Sequence, residues 1–337
     1  MATIKDVSQK AGVSSATVSH VINNTRYVSD EVRNRVLAAI EELNYKPNYI
    51  ARTLRRGKSD TIGVIIPNTR NTYFTEIAWC IEQVASQDNY SVIICNSENI
   101  PEKEVFYINI LMQKQVDGIV FFSSINNEEA SKLLSASNIP FVIVDREFED
   151  ETENCVVVMT DEQQGAECAT EYLISLGHEK IACITGGPKE QITSEKRKLG
   201  YIEAMKRNNL PIIDEYIVEG DFSLNSGYIA GMKILKMKNR PSAIFSFNDL
   251  MALGVLRAAR ECDINIPKDL SLIGFDNIEI AEYSIPPLTT IAQNKVKIAE
   301  NIVSSLFAMN KKEEIKTRRI VISADFIERK SCRAINQ

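Results

Sequence analysis

The side chains that could do chemistry in this chain stand in short polar sets directly behind apolar runs. Asn71, Tyr73 and Phe74 follow TIGVIIP, Asp145 and Arg146 follow PFVIV, and Thr160 and Asp161 follow Cys155 to Met159. Further on come Arg197, Phe222, Asn248 and Asp249 behind AIFSF, Asp276 behind LSLIGF, and Gln293. Charged and amide groups grip hydroxyls in bidentate geometry, and aromatic faces stack on C–H faces. The mixture suits holding a sugar rather than breaking a bond. A plainer role competes at each position: core packing for Tyr73, Phe74 and Phe222, a surface ion pair for Asp145 and Arg146, a helix cap for Asn248 and Asp249. Asp249 reads as the cap and Asn248 as the ligand group. His20 and His178 are the only histidines, and the seven cysteines never form a Cys-x-x-Cys pair. That argues against a metal centre, a disulfide framework or a hydrolytic triad, so neither an enzyme nor a cofactor is expected. His178, in the helix-to-strand turn ISLGHEK, reads as a loop residue without catalytic duty.

A second set of groups lies at the other end of the chain, in TIKDVSQKAGVSSATVSHVIN from Thr3 to Asn23. Thr3 can cap a helix whose third position, Asp6, reaches back to it, with Ile4, Val7 and Ala11 at helical spacing. Gly12 makes a turn, Ser14 caps a second helix, and Val18, Val21 and Ile22 form its buried face. Its outer face carries Ser15, Ala16, Thr17 and His20, small or hydrogen-bonding groups that can lie against base edges in a major groove. By spacing alone, a plain helical hairpin explains the pattern equally well. A third helix is expected from Asp30 to Leu43 behind a capping Ser29, with Val32, Val36, Leu37, Ile40 and Leu43 on its inner side; Pro47 stops it.

Charge separates the two ends. Residues 1–58 hold ten Lys or Arg against five Asp or Glu, and the remainder holds 29 against 40. A basic segment on an acidic body meets a polyanion at one end only. At 337 residues and 44% apolar content the chain can bury a large core in two or three domains. It has neither a long uncharged apolar run nor a signal-like N-terminus, so a soluble cytoplasmic protein with no membrane partner is expected.

From Thr61 onward, short apolar runs alternate with helical segments twice over. This is the pattern of parallel sheets covered by helices on both faces, in two Rossmann-like halves. Open parallel sheets bind ligands outside the carboxyl ends of their strands, so the polar sets should converge. No G-x-G-x-x-G follows the first strand, and Gly186-Gly187-Pro188 lacks a P-loop Lys and Ser, which disfavours a nucleotide enzyme.

The strings DVSQKAGVSSATVSHVIN, ELNYKPN and ARTL, in this order and spacing, closely resemble the LacI/GalR family of bacterial transcription repressors. The resemblance implies an all-α helix-turn-helix headpiece over 1–47 and a hinge helix with linker over 48–60. It implies a periplasmic-binding-protein-like α/β core beyond, with subdomains 61–160 (with 292–322) and 161–291 (with 323–332). The chain should cross between them near 159–161, 290–293 and 323–325. By the same resemblance Ser15, Ala16 and His20 read bases, Leu54 wedges into the minor groove supported by Ala51 and Arg52, and Thr3, Ser14, Thr17, Tyr45, Asn48 and Arg52 contact phosphates.

The cleft set Asn71, Tyr73, Phe74, Asp145, Arg146, Thr160, Arg197, Phe222, Asn248, Asp276 and Gln293 is similar to that of ribose-binding proteins and ribose-operon repressors. It departs from them in Tyr73 for a common phenylalanine and Thr160 for serine. The expected protein is a homodimeric repressor of operator DNA, relieved by ribose or a similar monosaccharide. The alternative is a purine-responsive or phosphocarrier-assisted regulator of the same family. A transport-type sugar-binding protein is disfavoured by the basic module.

Overall fold

A computed structural model describes residues 2–45, 58–123, 127–146, 148, 152–187 and 192–335. The chain divides into two compact units, Met1–Ser59 and Asp60–Gln337. Asn48, Ala51, Arg52 and Leu54 lie outside the described residues.

The first unit holds α1 (Ile4–Ala11), α2 (Ser15–Asn23) and α3 (Asp30–Glu42). Thr3 and Asp6 form a reciprocal capping box, with the Thr3 N–H donating to Asp6 Oδ2 at 2.7 Å. Gly12 closes α1 at φ 64°, a left-handed position that a side chain would strain. Ser14 Oγ accepts from the Thr17 N–H at 3.1 Å and starts α2. Val7, Ala11, Val18, Val21, Val36 and Ala39 form the buried centre, and Ile4, Ile22, Val32, Ile40, Leu43 and Tyr45 are among the half-buried residues packed against it. Two details differ from the sequence expectation. Ser29 precedes α3 but makes no side-chain cap bond. Leu37 is 49% exposed, because it stands about 100° round the helix from the fully buried Val36 and so turns off the inner face.

In the second unit, the first half runs β1 (Thr61–Ile66), α4 (Thr72–Ser86), β2 (Ser91–Asn96), α5 (Pro101–Gln113), β3 (Gly118–Phe122), α6 (Glu128–Ala136), β4 (Phe141–Val144) and β5 (Cys155–Thr160). The next half repeats the alternation with α7 (Glu162–Ser175), β6 (Ile181–Gly186), α8 (Ile192–Arg207), β7 (Ile217–Gly220), α9 (Leu224–Leu235), β8 (Ala243–Ser246), α10 (Asp249–Glu261), β9 (Ser271–Asp276), the single turn α11 (Glu279–Glu282) and β10 (Thr289–Ala292). Helix α12 (Lys295–Asn310), β11 (Arg319–Ile322) and β12 (Asp325–Ile327) complete it.

The strands form two six-stranded sheets, ordered β11-β5-β4-β3-β1-β2 and β12-β10-β9-β8-β6-β7. The first is parallel throughout, and β12 is the antiparallel member of the second. Strands β1, β3, β6 and β9 are buried along their whole length, which is why they read as unbroken apolar runs. The chain passes between the sheets three times, at Asp161, at Gln293 and Asn294, and at Ser323 and Ala324; after the second passage α12 packs on α4. Chain order reverses between β1 and β3 and between β6 and β8, so the carboxyl ends of those strands open a crevice in each half.

His178 is buried rather than a plain loop residue. Its ring nitrogens pair with Ser242 Oγ at 2.9 Å, Ser271 Oγ at 2.9 Å and the Arg333 carbonyl at 3.1 Å, which ties the C-terminal segment to the second sheet. No helix among the described residues is long and apolar enough to cross a membrane.

Candidate functional site

The two crevices share one cavity of about 90 Å³. A water needs roughly 10–15 Å³ of such space, so the cavity holds a small molecule of about monosaccharide or nucleobase size. From the first half Asn71, Tyr73, Phe74, Asp145 and Arg146 line it; from the second come Arg197, Phe222 and Asp276, with Gln293 at the passage between them. These side chains meet because each stands just beyond the carboxyl end of a strand or in the first turns of the helix that follows.

Thr160 and Asn248 do not line the cavity. The Thr160 hydroxyl donates to Gln293 Oε1 at 2.7 Å, and its N–H donates to Asp145 Oδ1 at 3.0 Å. Asn248 is fully buried: its Oδ1 caps α10 by accepting from the Met251 N–H at 2.9 Å, and its Nδ2 donates to the Phe222 carbonyl at 3.0 Å. The expected division of labour between neighbours is therefore corrected. Asn248 is the cap, whereas Asp249 faces inward, accepting from Thr290 Oγ1 at 2.6 Å and the Ile278 N–H at 2.9 Å.

A continuous hydrogen-bond chain crosses the cavity wall. Tyr73 Oη lies 2.9 Å from Gln293 Oε1 and 3.2 Å from Asp145 Oδ2. Gln293 Nε2 donates to Asp276 Oδ1 at 2.8 Å, and Arg197 Nη2 reaches the same oxygen at 3.3 Å. Arg197 also donates from Nε to Glu162 Oε2 at 2.5 Å and from Nη1 to the Phe247 carbonyl. Its planar fork is thus spent on holding two carboxylates in place, while its face lies 3.7 Å from the Phe275 ring centroid.

Burial pushes the Asp145 carboxyl up to about 7, helped by the nearby Glu162 charge. Burial also takes Asp276 to about 6, with Arg197 pulling back. For Arg197 burial acts to lower the value, and Glu162 and Asp276 overcome it, holding the guanidinium firmly protonated. Asp145, Phe222 and Asp276 all have positive φ, at 54°, 66° and 105°, a clustering of backbone strain typical of ligand clamps. Phe222 rests on Gly186, where a Cβ would come within 1.8 Å of its ring.

Sequence reading missed several wall residues: Phe122, Ser123, Glu162, Thr193 and Asp221. The strand-end rule could have found Ser123, directly behind β3, and Glu162, two residues behind β5. Behind Ser123 stands the buried Glu104, which accepts from the Ser123 hydroxyl and from Asn127 Nδ2, both at 2.8 Å.

On the first unit, Ala16 is exposed on α2, and Ser15 and His20 are half-buried beside it. Ser15 Oγ lies 3.2 Å from Ser8 Oγ, and His20 Nδ1 lies 2.9 Å from Thr25 Oγ1. Thr3 and Ser14 serve as helix caps, Thr17 Oγ1 lies 2.9 Å from Ser14 Oγ, and Tyr45 is half-buried against the three-helix core.

Comparisons with known proteins agree with this architecture. Residues 3–48 match the bacterial regulatory proteins of the lacI family, and residues 170–332 match the periplasmic binding protein-like domain. The HTH-type transcriptional repressor PurR of Vibrio parahaemolyticus is 38% identical over 337 residues, covering 100% of both chains, and that of Vibrio vulnificus is 39% identical over the same span. Among solved structures, the lac repressor dimer bound to operator and the anti-inducer ONPF superposes with TM-score 0.88 at 30% identity, covering 99% of each chain. A LacI family regulator from Enterococcus faecium with bound ribose superposes with TM-score 0.73 at 27% identity, covering 82% of this chain and 100% of that one. The PurR and lac relatives are repressors and not enzymes, and the chain belongs with them to the lacI family of DNA-binding bacterial transcription regulators.

Proposed function

We propose that the chain is a cytoplasmic homodimeric repressor whose operator affinity is set by a purine base bound in the cleft between its two sheets. The observation that carries this is a small cavity with phenylalanine rings, Phe74 and Phe222, among carboxylates that accept hydrogen bonds or share a proton. Flat faces stack on such rings, and ring N–H groups donate to such carboxylates. The PurR names of the full-length relatives favour the same class. A free monosaccharide is the second reading. It is favoured by the adjacent Asp145 and Arg146 in the wall, an acceptor and a donor suited to neighbouring hydroxyls, and by the ribose held in the Enterococcus faecium relative.

In this reading 1–47 is the headpiece and 48–60 the hinge, and the core comprises 61–160 with 292–322 and 161–291 with 323–332. Ser15, Ala16 and His20 read bases, Leu54 bends the duplex, and Thr3, Ser14, Thr17, Tyr45, Asn48 and Arg52 hold phosphates. The ligand contacts come from Asn71, Tyr73, Phe74, Asp145, Arg146, Phe222 and Asp276, braced by Thr160, Arg197, Asn248 and Gln293. Calorimetry with hypoxanthine, guanine, D-ribose, other pentoses and hexoses tests the ligand class, paired with operator binding followed by fluorescence anisotropy. A purine that binds and strengthens operator binding supports the first reading; a sugar that binds and weakens it replaces that reading with the second. Leu54→Ala should weaken operator binding while leaving ligand affinity nearly unchanged, and equal loss of both would make residue 54 structural.

A further inference from the structure

Glu162 is the acidic wall residue that strand-end reading missed, and it is only 2% exposed. One of its oxygens, Oε2, accepts from Arg197 Nε. The other, Oε1, is buried and has no hydrogen-bond partner among the described residues. A buried carboxylate oxygen left without a donor costs stability, so native proteins keep such atoms where a partner arrives from elsewhere. The neighbouring groups are poor candidates. Arg197 directs its bonds to Glu162 Oε2, the Phe247 carbonyl and Asp276 and makes none to Oε1, and the Tyr73 hydroxyl is shared between Gln293 and Asp145. Asp145, on which the Glu162 charge acts, is itself a carboxylate.

We propose that Glu162 is a specificity-determining acceptor for the effector: Arg197 anchors one carboxylate oxygen, and the other takes a hydrogen bond from an N–H or O–H of the ligand. This rests on the cleft being the effector site, but not on the effector being a purine rather than a sugar. Glu162, Asp145, Asp221 and Asp276 outnumber Arg146 and Arg197 in the wall, so the cavity favours a ligand rich in donors and disfavours phosphate esters and carboxylates.

The test uses the full-length chain and calorimetry with hypoxanthine and D-ribose, their single-donor-deleted analogues (the N-methyl hypoxanthines and the deoxyriboses), and ribose 5-phosphate. Glu162→Gln keeps an oxygen for Arg197 and turns the second site into a donor. Glu162→Asp keeps the charge but withdraws the acceptor. Urea midpoints check that both variants fold. For whichever neutral ligand binds the wild type, both substitutions should lower affinity roughly tenfold or more. One donor-deleted analogue should lose as much on the wild type yet lose little further on Glu162→Gln, the coupling expected of a direct contact. Ribose binding with that coupling sustains the proposal while removing the purine reading. Hypoxanthine binding that is indifferent to both substitutions does the reverse. Binding of ribose 5-phosphate alone, or of no ligand in the panel, overturns the proposal.

Discussion

Removing the Tyr73 hydroxyl tests whether the two halves of the core are tied through the cleft wall. Tyr73 is 3% exposed, and its Oη reaches Gln293 Oε1 at 2.9 Å and Asp145 Oδ2 at 3.2 Å. Gln293 carries the link onward to Asp276, at the end of β9 in the second sheet. In Tyr73→Phe, Gln293 Oε1 keeps the Thr160 hydroxyl at 2.7 Å and Asp145 Oδ1 keeps the Thr160 N–H, but Asp145 Oδ2 loses its phenol donor. One neutral hydrogen bond is worth about 1 kcal/mol and one to a charged acceptor about 1.5–3 kcal/mol, so the expected loss is about 2 kcal/mol. Tyr201→Phe is the control: its fully buried hydroxyl donates to the Ile181 carbonyl at 2.8 Å, away from the cavity, and should cost about 1 kcal/mol. Urea unfolding near neutral pH measures both, and titration with whichever ligand the calorimetric panel selects measures the cleft. Tyr73→Phe should also weaken ligand binding roughly three- to tenfold, because closing the cleft must then order two halves that the phenol no longer joins. Tyr201→Phe should leave ligand affinity unchanged. A Tyr73→Phe protein within about 0.5 kcal/mol of wild type, or equal affinity losses in the two variants, would refute the reasoning.

Three further outcomes follow from the same geometry. Burial raises Asp145 to about 7, Asp249 to about 8 and Asp276 to about 6, so between about pH 4 and pH 8 the folded chain binds protons that the unfolded chain has released. Their stabilising contribution is complete below the unfolded carboxylate pKa and is lost as the pH rises through those values. The urea midpoint of the core should therefore fall from about pH 6 to about pH 8.5, and Asp249→Asn should flatten that slope; a midpoint that rises would contradict it. Gly186→Ala drives a methyl into the Phe222 ring, so it should cost about 1–3 kcal/mol and weaken ligand binding, checked by melting and calorimetry. Asn248→Ala removes a helix cap and the hold on the Phe222 carbonyl, so stability should drop by about 1–2 kcal/mol while affinity falls less than in Asp276→Asn.

Local interactions explain which parts of the fold were legible. The capping box at Thr3, the left-handed Gly12 and the Ser14 cap each act within one turn of chain, so residue type and spacing suffice to find them. The fully buried strands likewise announce themselves as apolar runs. The late elements were not read. Strand β11 is four residues long, β12 three, and of the seven positions only Ile322 is buried. Leu37 fits a helical stripe on paper, yet the two neighbouring helices cover only part of that face.

For the cleft, the sequence by itself determined the family, through the headpiece strings, and the convergence of a set of strand-end side chains, because parallel sheets aim those ends at one crevice. What it could not assign was which partner each side chain takes. Tyr73 and Gln293 are 220 positions apart, and Arg197 and Asp276 are 79 apart. Only the tertiary structure brings them close enough to compete for the same donors. That competition spends Arg197 on its own carboxylates, turns Asn248 into a cap, withdraws Thr160 behind Gln293, and leaves Glu162 with an oxygen in need of a donor.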